Sequence, residues 1–467
     1  MKILCPGGYT WKNKGDAALV LSMLTEIKRV FPNASIKLIS DTPTLDTIKY
    51  NETVLPPIFG NTLETNSDNK YDSSIFNKIV NLFNRYIGWR LPKQLTILLS
   101  KLLNLIYRTL KPSELTKFYT FLIYSKIATW LLGEQCHLIF PKAKRSVASA
   151  FCEADVVIFV PGGYIIAPHP KHTHWLRHVG AIFLAHWLKK PVYLYACTIG
   201  PFHGRHNQWL AKAVLKCANG IVLRELSSEY TASLLVPNVA RFLTMDVAFL
   251  LGNCPKERTN LLRNQWLLDA HHPIVGISVR DYQFPGHPEP EEQRLCYLDA
   301  VAVVAEHLVK KHNASVYFVP QVLADEINDL EVSKLIYDRI LKHTNIQVID
   351  ADIDPIDLKG LYSCFDAFIG VRMHANIFAL SGHVPTVAIA YEPKTAGIME
   401  TLKLDEYVLD IRKIDSNILI ECVDRMMLNR ESLHEHLIQV IPSAREMASK
   451  TANIIKEQLL SLDVKID

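Results

Sequence analysis

Short apolar runs alternate with amphipathic stretches along most of the chain. In the first half "KILC", "SIKLIS", "DVVIFV", "PVYLYA" and "GIVL" read as strands, with helical segments between several of them. This is the pattern of a parallel sheet with crossover helices. The second half repeats it with "IVGISV", "SVYFV", "IQVID", "DAFIG" and "TVAIA", separated by helical candidates at 293–311 and 326–342. The fold class predicted is therefore α/β, with two Rossmann-like domains facing a cleft. The break falls in "GNCPKERTN", residues 252–260, where polar residues, Gly and Pro follow "DVAFLL". This gives a first domain of residues 1–255 and a second of 256–467, whose residues 430–467 read as terminal helices.

Residues 52–150 depart from the alternation and read as a helical insertion in the first domain. From Arg85 to Thr129 the insertion holds Arg85, Arg90, Lys93, Lys101, Arg108, Lys111, Lys117 and Lys126 against the lone acid Glu114. Leu98, Leu99, Leu102, Leu103, Leu105 and Ile106 cover a broad helical face beside these cations. Such a region can lie on an anionic membrane surface. Helices packed on the neighbouring sheet, with their lysines in water, produce the same pattern.

Length supports two domains, since 467 residues exceed what one core usually serves. A composition of 49% hydrophobic and 21% charged residues excludes a largely disordered chain. The formal net charge of +4 gives no reason to invoke nucleic acid, and no module of interleaved basic and aromatic residues is present. The nine cysteines stand singly, without a C-x-x-C pair, as thiols of a reducing compartment do. The start "MKILCPGGYT" lacks a secretory pattern, and no run of about 18 uncharged apolar residues suggests a membrane span. A cytoplasmic location is expected, with the insertion allowing peripheral contact with the inner face of the membrane.

The candidate chemistry sits where strands end. If "DAFIG" is a central strand, Arg372 and His374 fall in the turn at its carboxyl end, where open α/β sheets bind ligands. The helix that follows points its amino terminus at the same place, and Arg372 can add a bidentate fork to a carboxylate or phosphate. "GISVR" ends in Arg280, "AIAYEPK" brings Glu392 and Lys394 beyond another strand, and Pro320-Gln321 follows "SVYFV". Each cation alone reads as a surface loop residue. Three on neighbouring strand ends point to a small, multiply anionic ligand. The first half repeats "PGGY" at 6–9 and 161–164, each directly after an apolar strand. Glycine there permits close backbone approach to a ligand, or simply a tight turn. The G-x-G-x-x-G spacing of a dinucleotide site is missing. Residues 169–186, "HPKHTHWLRHVGAIFLAH", are rich in histidine but lack a carboxylate or cysteine to complete a ligand set, so no metal is expected. This segment, with Trp175, reads as a polar, aromatic loop.

"GVRMHANIFALSGHVPTVAIAYEPKTAGIM" resembles the carboxyl-terminal signature of the polysaccharide pyruvyl transferase family. It carries G-x-R-x-H, an apolar helix, G-x-P, an apolar strand and Y-x-x-K-x-x-G in order. "NKGDAAL", "VPGGY", "TIGPF", "CANGIVLRELSSEY", "DVAFLL" and "ISVR" extend the similarity over about residues 1–45 and 150–405, leaving the insertion outside it. The resemblance implies a fold similar to the GT-B glycosyltransferases. It also implies transfer of a pyruvyl group from phosphoenolpyruvate, a co-substrate and not a bound cofactor, to two hydroxyls of a saccharide. The product is a ketal, and phosphate leaves. The acceptor would be a saccharide, lipid-linked or polymeric, and the loop at 169–186 with Trp175 would face that sugar or the phosphate of a lipid carrier.

Within that reaction Arg280, Arg372, His374 and Lys394 are the expected donor-binding residues. His374 serves as proton donor or as ligand to the phosphate, an imidazole being suited to proton transfer near neutral pH. Glu392 is a second acid or base, or else orients Lys394 through an ion pair. The acceptor is expected across the cleft, at Asn13, Gly15, Asp16, Gly162, Gly163, Tyr164 and Arg224. Asp16 can equally be a helix N-cap, and Arg224 can pair with Glu225 to hold the helix that follows. The alternatives are a GT-B glycosyltransferase using a nucleotide sugar, and a non-catalytic protein that binds an anionic metabolite.

Overall fold

A computed structural model describes residues 1–8, 10–59, 114–140, 142–266, 271–324, 327–341 and 345–464. The first half contributes strands β1 (Lys2–Gly8), β2 (Ser35–Ser40), β3 (Thr53–Leu55), β4 (Val156–Phe159), β5 (Gly162–Ala167), β6 (Val192–Phe202), β7 (Gly220–Leu223) and β8 (Ala240–Leu243). They form one sheet in the order β3-β2-β1-β4-β6-β7-β8, with β5 pairing the later part of β6. Every pairing in it is parallel. The predicted apolar runs are its central strands, and Val156 to Phe159 and Gly220 to Leu223 are buried throughout. Chains with helices on both sheet faces need such continuous apolar stretches.

The second half contributes β9 (Ile274–Ser278), β10 (Ser315–Phe318), a short antiparallel pair β11 (Leu323–Ala324) and β12 (Ile327–Asn328), then β13 (Ile346–Val348), β14 (Ala367–Gly370), β15 (Thr386–Ala390) and β16 (Val408–Asp410). Its main sheet runs β13-β10-β9-β14-β15-β16, again all parallel. The helices predicted at 293–311 and 326–342 are observed as Pro290–His312 and Asp329–Tyr337. β9, β14 and β15 are neighbours, so Arg280, Arg372 and Lys394 all leave the same edge of one sheet.

The carboxyl edges of the two sheets face each other. Asn13, just after β1, forms an isolated antiparallel bridge with Val322, just after β10. The Lys14 amide donates to the Gln321 carbonyl at 3.1 Å and the Leu323 amide to the Lys12 carbonyl at 2.9 Å. Trp11 adds an indole N–H bond to Asp354 at 3.2 Å, and Lys14 forms an ion pair with Asp352.

The expectation that residues 256–467 form one domain needs a correction at the chain end. Helix Arg430–Leu460 returns to the first sheet and packs on helix Lys14–Val30, on the turn Val247–Leu250 and on β6 and β7. Leu437, Ile441, Ala444, Ala448, Ala452, Ile455 and Leu459 form its buried stripe at three- and four-residue intervals. Polar bonds pin it along its length. Arg445 donates to the Phe249 carbonyl at 3.0 Å, and the Thr451 and Thr244 hydroxyls meet at 3.1 Å. A helix whose apolar stripe finds a sheet face packs there, whichever domain precedes it in sequence.

Of the insertion, the described part packs. Helix Glu114–Leu132 buries Phe118, Phe121 and Ala128 against helix Leu176–Trp187, where a Cβ on Gly180 would stand 2.9 Å from the Phe121 ring. Lys117 pairs with Glu114 at 2.7 Å, while Lys126 is exposed. Arg85, Arg90, Lys93, Lys101, Arg108 and Lys111, the bulk of the expected basic face, lie outside the described residues. Among the described residues no helix is long and apolar enough to cross a membrane.

If the last helix fastens the two halves together, Ile455→Ala should lower stability by about 2–4 kcal/mol, the usual cost of emptying a buried isoleucine. Urea unfolding of the whole chain measures it. A change below about 0.5 kcal/mol would mean the helix is not docked as described.

Candidate active site

Two adjoining cavities open between the sheets. The smaller, about 220 Å³, is lined by Asn13, Asp16, Gly163, Gln321, Arg372, His374, Tyr391, Glu392 and Lys394, among others. Seven of the residues expected from the sequence therefore share one cavity: Asn13, Asp16, Gly163, Arg372, His374, Glu392 and Lys394.

Local sequence explains how each arrives there. Arg372 is the N-cap of helix Met373–Ser381 directly after β14, so the helix begins at the cavity wall with His374 in its first turn. Glu392 holds the same place at helix Pro393–Thr401 after β15, with Lys394 in that helix's first turn. On the facing sheet Asn13 caps helix Lys14–Val30, its side-chain oxygen accepting from the amides of Gly15 and Asp16. Asn13, and not Asp16, is thus the N-cap. Asp16 instead accepts a 2.6 Å bond from the Asn13 amide group, and its carboxylate lines the cavity.

The cations do not stand unopposed, which changes the expected donor clamp. Arg372 gives its Nε and Nη2 to the buried Asp329, the closest contact being 2.6 Å. Lys394 pairs with Glu392 at 2.6 Å. Arg280 lines neither cavity; its guanidinium lies 4.1 Å from the centre of the Tyr391 ring and supports that ring from behind. Arg224 was expected at the acceptor but is 2% exposed, bonded through Nη1 to Asp246 at 2.7 Å and through Nε to Thr198 at 3.0 Å. Its Nε also stands 3.3 Å from Glu225, so the ion pair weighed for it is present.

Asp246 ties the halves together. Its carboxylate meets Arg224 from the first domain and stands 3.7 Å from Nε2 of His374 of the second. Burial disfavours charge on Asp246, yet Arg224, His374 and the Ala248 amide hold its carboxyl down at about 2. His374 also packs against the first domain, since a Cβ on Gly15 would overlap its ring. Gly15 is therefore a spacer for the imidazole and not an acceptor contact. Gly163 differs: a Cβ there would lie 3.6 Å from Lys394 Nζ and 3.8 Å from Arg224 Nη2, ordinary contact distances, so it borders the cavity without being required as a spacer.

Two cavity carboxyls are pushed in opposite directions. Burial raises the Asp16 carboxyl against the pull of His374, Lys394, Arg224 and Arg372. Burial also works on Glu392, but there Lys394, Arg280 and Arg224 prevail and hold the carboxyl below its ordinary range. Two carboxyls lining one cavity are thus set apart in their tendency to hold a proton. Gln321 adds a donor. Its side chain is 1% exposed, its oxygen accepts from Tyr362 at 3.1 Å, and its Nε2 has no bond among the described residues.

The other expected acceptor residues do not face the cleft. Gly162 and Tyr164 are buried, the Tyr164 ring lying 4.9 Å from that of His178. Desolvation, reinforced by Arg177, pushes the His178 imidazole down to about 3. Trp175, read as part of a sugar-facing loop, is 1% exposed and packs beside Phe202. His172 of this histidine segment lies within electrostatic reach of Glu392. Away from the cleft, His307 and His312 both meet Asp424, at 2.9 and 2.8 Å, and Lys311 takes its other oxygen at 2.7 Å. That group reads as a carboxylate shared by two imidazoles and an ammonium.

Asp246, Asp329 and Tyr391 carry much of this site without having been singled out from the sequence. "DVAFLL" does place Asp246 just past an apolar stretch, but no local pattern reveals that Asp329 answers Arg372 from 43 residues away.

The model of the polysaccharide pyruvyl transferase family matches residues 13–393, a span that contains the lining residues of the small cavity from Asn13 to Glu392 and stops one short of Lys394. The chain belongs to the polysaccharide pyruvyl transferase family. It is also similar to the amylovoran biosynthesis protein AmsJ of Erwinia amylovora, 23% identical over 98% of this chain and 99% of that one. Among solved structures, the Anabaena protein HepE in complex with UDP-glucose matches with a TM-score of 0.55 and 12% identity, covering 99% of this chain and 100% of the other. The UDP-GlcNAc 2-epimerase of Neisseria meningitidis bound to UDP-GlcNAc matches with a TM-score of 0.54 and 12% identity over 99% and 100%. A glycosyltransferase from Rickettsia africae gives 0.51 and 13% over 98% of each chain. These likenesses establish the GT-B-like fold of this family member.

The charge on Asp246 has a consequence for acid stability. A carboxyl whose folded value is depressed contributes stability above its unfolded value, roughly 3.9, and loses it as pH falls through the folded value near 2. Wild type should therefore lose stability more steeply than Asp246→Asn over that window in urea titrations. Parallel acid limbs for the two would show that Asp246 is not held ionised by Arg224 and His374.

Proposed function

We propose that this family member transfers the pyruvyl group of phosphoenolpyruvate to two hydroxyls of a saccharide, forming a pyruvate ketal and releasing phosphate. The observation that carries this reading is the convergence of Arg372, His374, Lys394, Glu392 and Asp16 on one cavity of about 220 Å³, a size suited to a three-carbon phosphorylated acid. The helix beginning at Met373 aims its unbonded amides at that cavity, and Gln321 offers a further N–H.

Donor binding proceeds by exchange of partners. Each of Arg372 and Lys394 already has a carboxylate, so an anion arriving in the cavity shares or replaces Asp329 and Glu392 as their counter-charge. Its negative charge pushes the Asp16 carboxyl further in the direction burial has already moved it, favouring the protonated form. A protonated Asp16 or His374 gives its proton to the methylene carbon of the enol, which becomes the methyl group. The adjacent carbon turns electron-poor and accepts a saccharide hydroxyl, whose proton passes to Glu392. The C–O bond to phosphate then breaks, the second hydroxyl closes the ring at the same carbon, and its proton leaves with phosphate as hydrogen phosphate. Hydrogens and charge balance: one proton enters at carbon, two leave oxygen, and the surplus departs on phosphate.

The test is a coupled assay of phosphate release from phosphoenolpyruvate in the presence of candidate saccharides. His374→Gln and Glu392→Gln should each lower turnover by about 10²–10⁴-fold, the range for lost acid–base assistance, while retaining thermal stabilisation by phosphoenolpyruvate. Stabilisation by UDP-sugars with none by phosphoenolpyruvate would instead assign the cleft to a nucleotide-sugar glycosyltransferase.

A further inference from the structure

The expected acceptor residues are mostly out of reach, so the saccharide needs another place. Beside the small cavity lies a larger one of about 650 Å³, lined from both halves of the molecule. Gly163, Ile166, Tyr391, Glu392 and Lys394 wall both cavities. The two are therefore compartments of one cleft, with Glu392 on the boundary.

Resting on the pyruvyl transfer reading, the geometry points to this larger compartment as the saccharide site, with the end of an oligosaccharide of roughly two to three rings seated on Tyr391 and Tyr282. Its volume falls within the range for ligands of that size, roughly 300–1,000 Å³, and is far more than a three-carbon donor fills.

The wall chemistry is that of a sugar site. Tyr391 and Tyr282 stand with ring centres 5.8 Å apart at an interplanar angle of 47°, giving an angled aromatic floor. Arg280 lies 4.1 Å from the Tyr391 ring centre and 5.8 Å from that of Tyr282. A guanidinium stacked there fixes the tyrosine orientation before any ligand arrives. Aromatic rings offer flat apolar area to the C–H face of a pyranose together with a hydroxyl for its polar rim. Thr231 and Ser227 on helix Leu226–Leu235 face this floor from the other domain, and the Arg412–Asp410 pair, bonded at 2.8 and 2.9 Å, borders it. Hydroxyls and a ready-made ion pair around an aromatic base match a ligand with many neutral hydroxyl groups. A saccharide on this floor meets Glu392 only at its innermost ring, so the ketal would form on the terminal residue of the chain.

Saturation-transfer NMR on the whole protein tests this, using maltotriose, cellotriose, mannotriose and galactotriose as probes and phosphoenolpyruvate stabilisation as a separate readout. We expect transfer to pyranose C–H protons from at least one probe. It should fall at least fivefold in Thr231→Trp, which fills the compartment, and in Tyr282→Ala, which removes half of its floor. Neither substitution should alter stabilisation by phosphoenolpyruvate, whose cavity contains neither residue. Two variants on opposite walls guard against one failing to fold, and the retained stabilisation confirms that each is native. No transfer from any probe, or transfer that survives both substitutions, overturns the assignment. Displacement of the probes by UMP would give the compartment to a nucleotide and overturn it as well. Loss of phosphoenolpyruvate stabilisation in wild type counts against the donor reading alone, since saccharide transfer is read independently.

Discussion

A carboxylate shut away from water needs cations, and Asp246 takes them from both halves of the molecule. Arg224 at the end of β7 holds it from one side, and His374 in the first turn after β14 approaches from the other. Neither sheet alone supplies both partners. The imidazole is further fixed because Gly15, on the first domain, leaves it room that no other residue would. One shared negative charge and one missing side chain thus set the position of a candidate catalytic group relative to both walls of the cleft.

The same logic runs through the rest of the site. Arg372 with Asp329, Lys394 with Glu392, and Arg224 with Asp246 and Glu225 bring nearly equal numbers of positive and negative groups together. A cleft balanced in this way stays folded without ligand, because burying several bare cations would cost several kcal/mol each. It recognises an anion by trading partners within a preformed set. Asp16 and Glu392 share the surroundings yet diverge: Glu392 touches its lysine directly, whereas the Asp16 carboxylate bonds the neutral amide group of Asn13 and no cation among the described residues. Proximity to a cation decides which way each carboxyl is pushed.

The two halves are also joined behind the cleft. The bridge from Asn13 to Val322 closes the edge near the small cavity, while helix Arg430–Leu460 crosses back beneath the first sheet. Tyr391 from the second half and Thr231 from the first line the larger compartment. The saccharide proposed for that compartment would lie next to the small cavity.

The sequence by itself determined the two parallel sheets and the location of the chemistry at their carboxyl edges. Strands covered on both faces must be apolar along their whole length, and the first residues beyond them must be polar, so "DAFIGVRMH" and "AIAYEPK" announce both the strand and the site. What each polar residue does was decided only by tertiary structure. Asp329 answers Arg372 from the first turn of helix Asp329–Tyr337, Arg280 lies on Tyr391 instead of lining the cavity, and Arg224 turns inward to Asp246. Periodicity records which face of an element is buried, but an ion pair depends on the distance between side chains on different elements, which is set only when the sheets pack together.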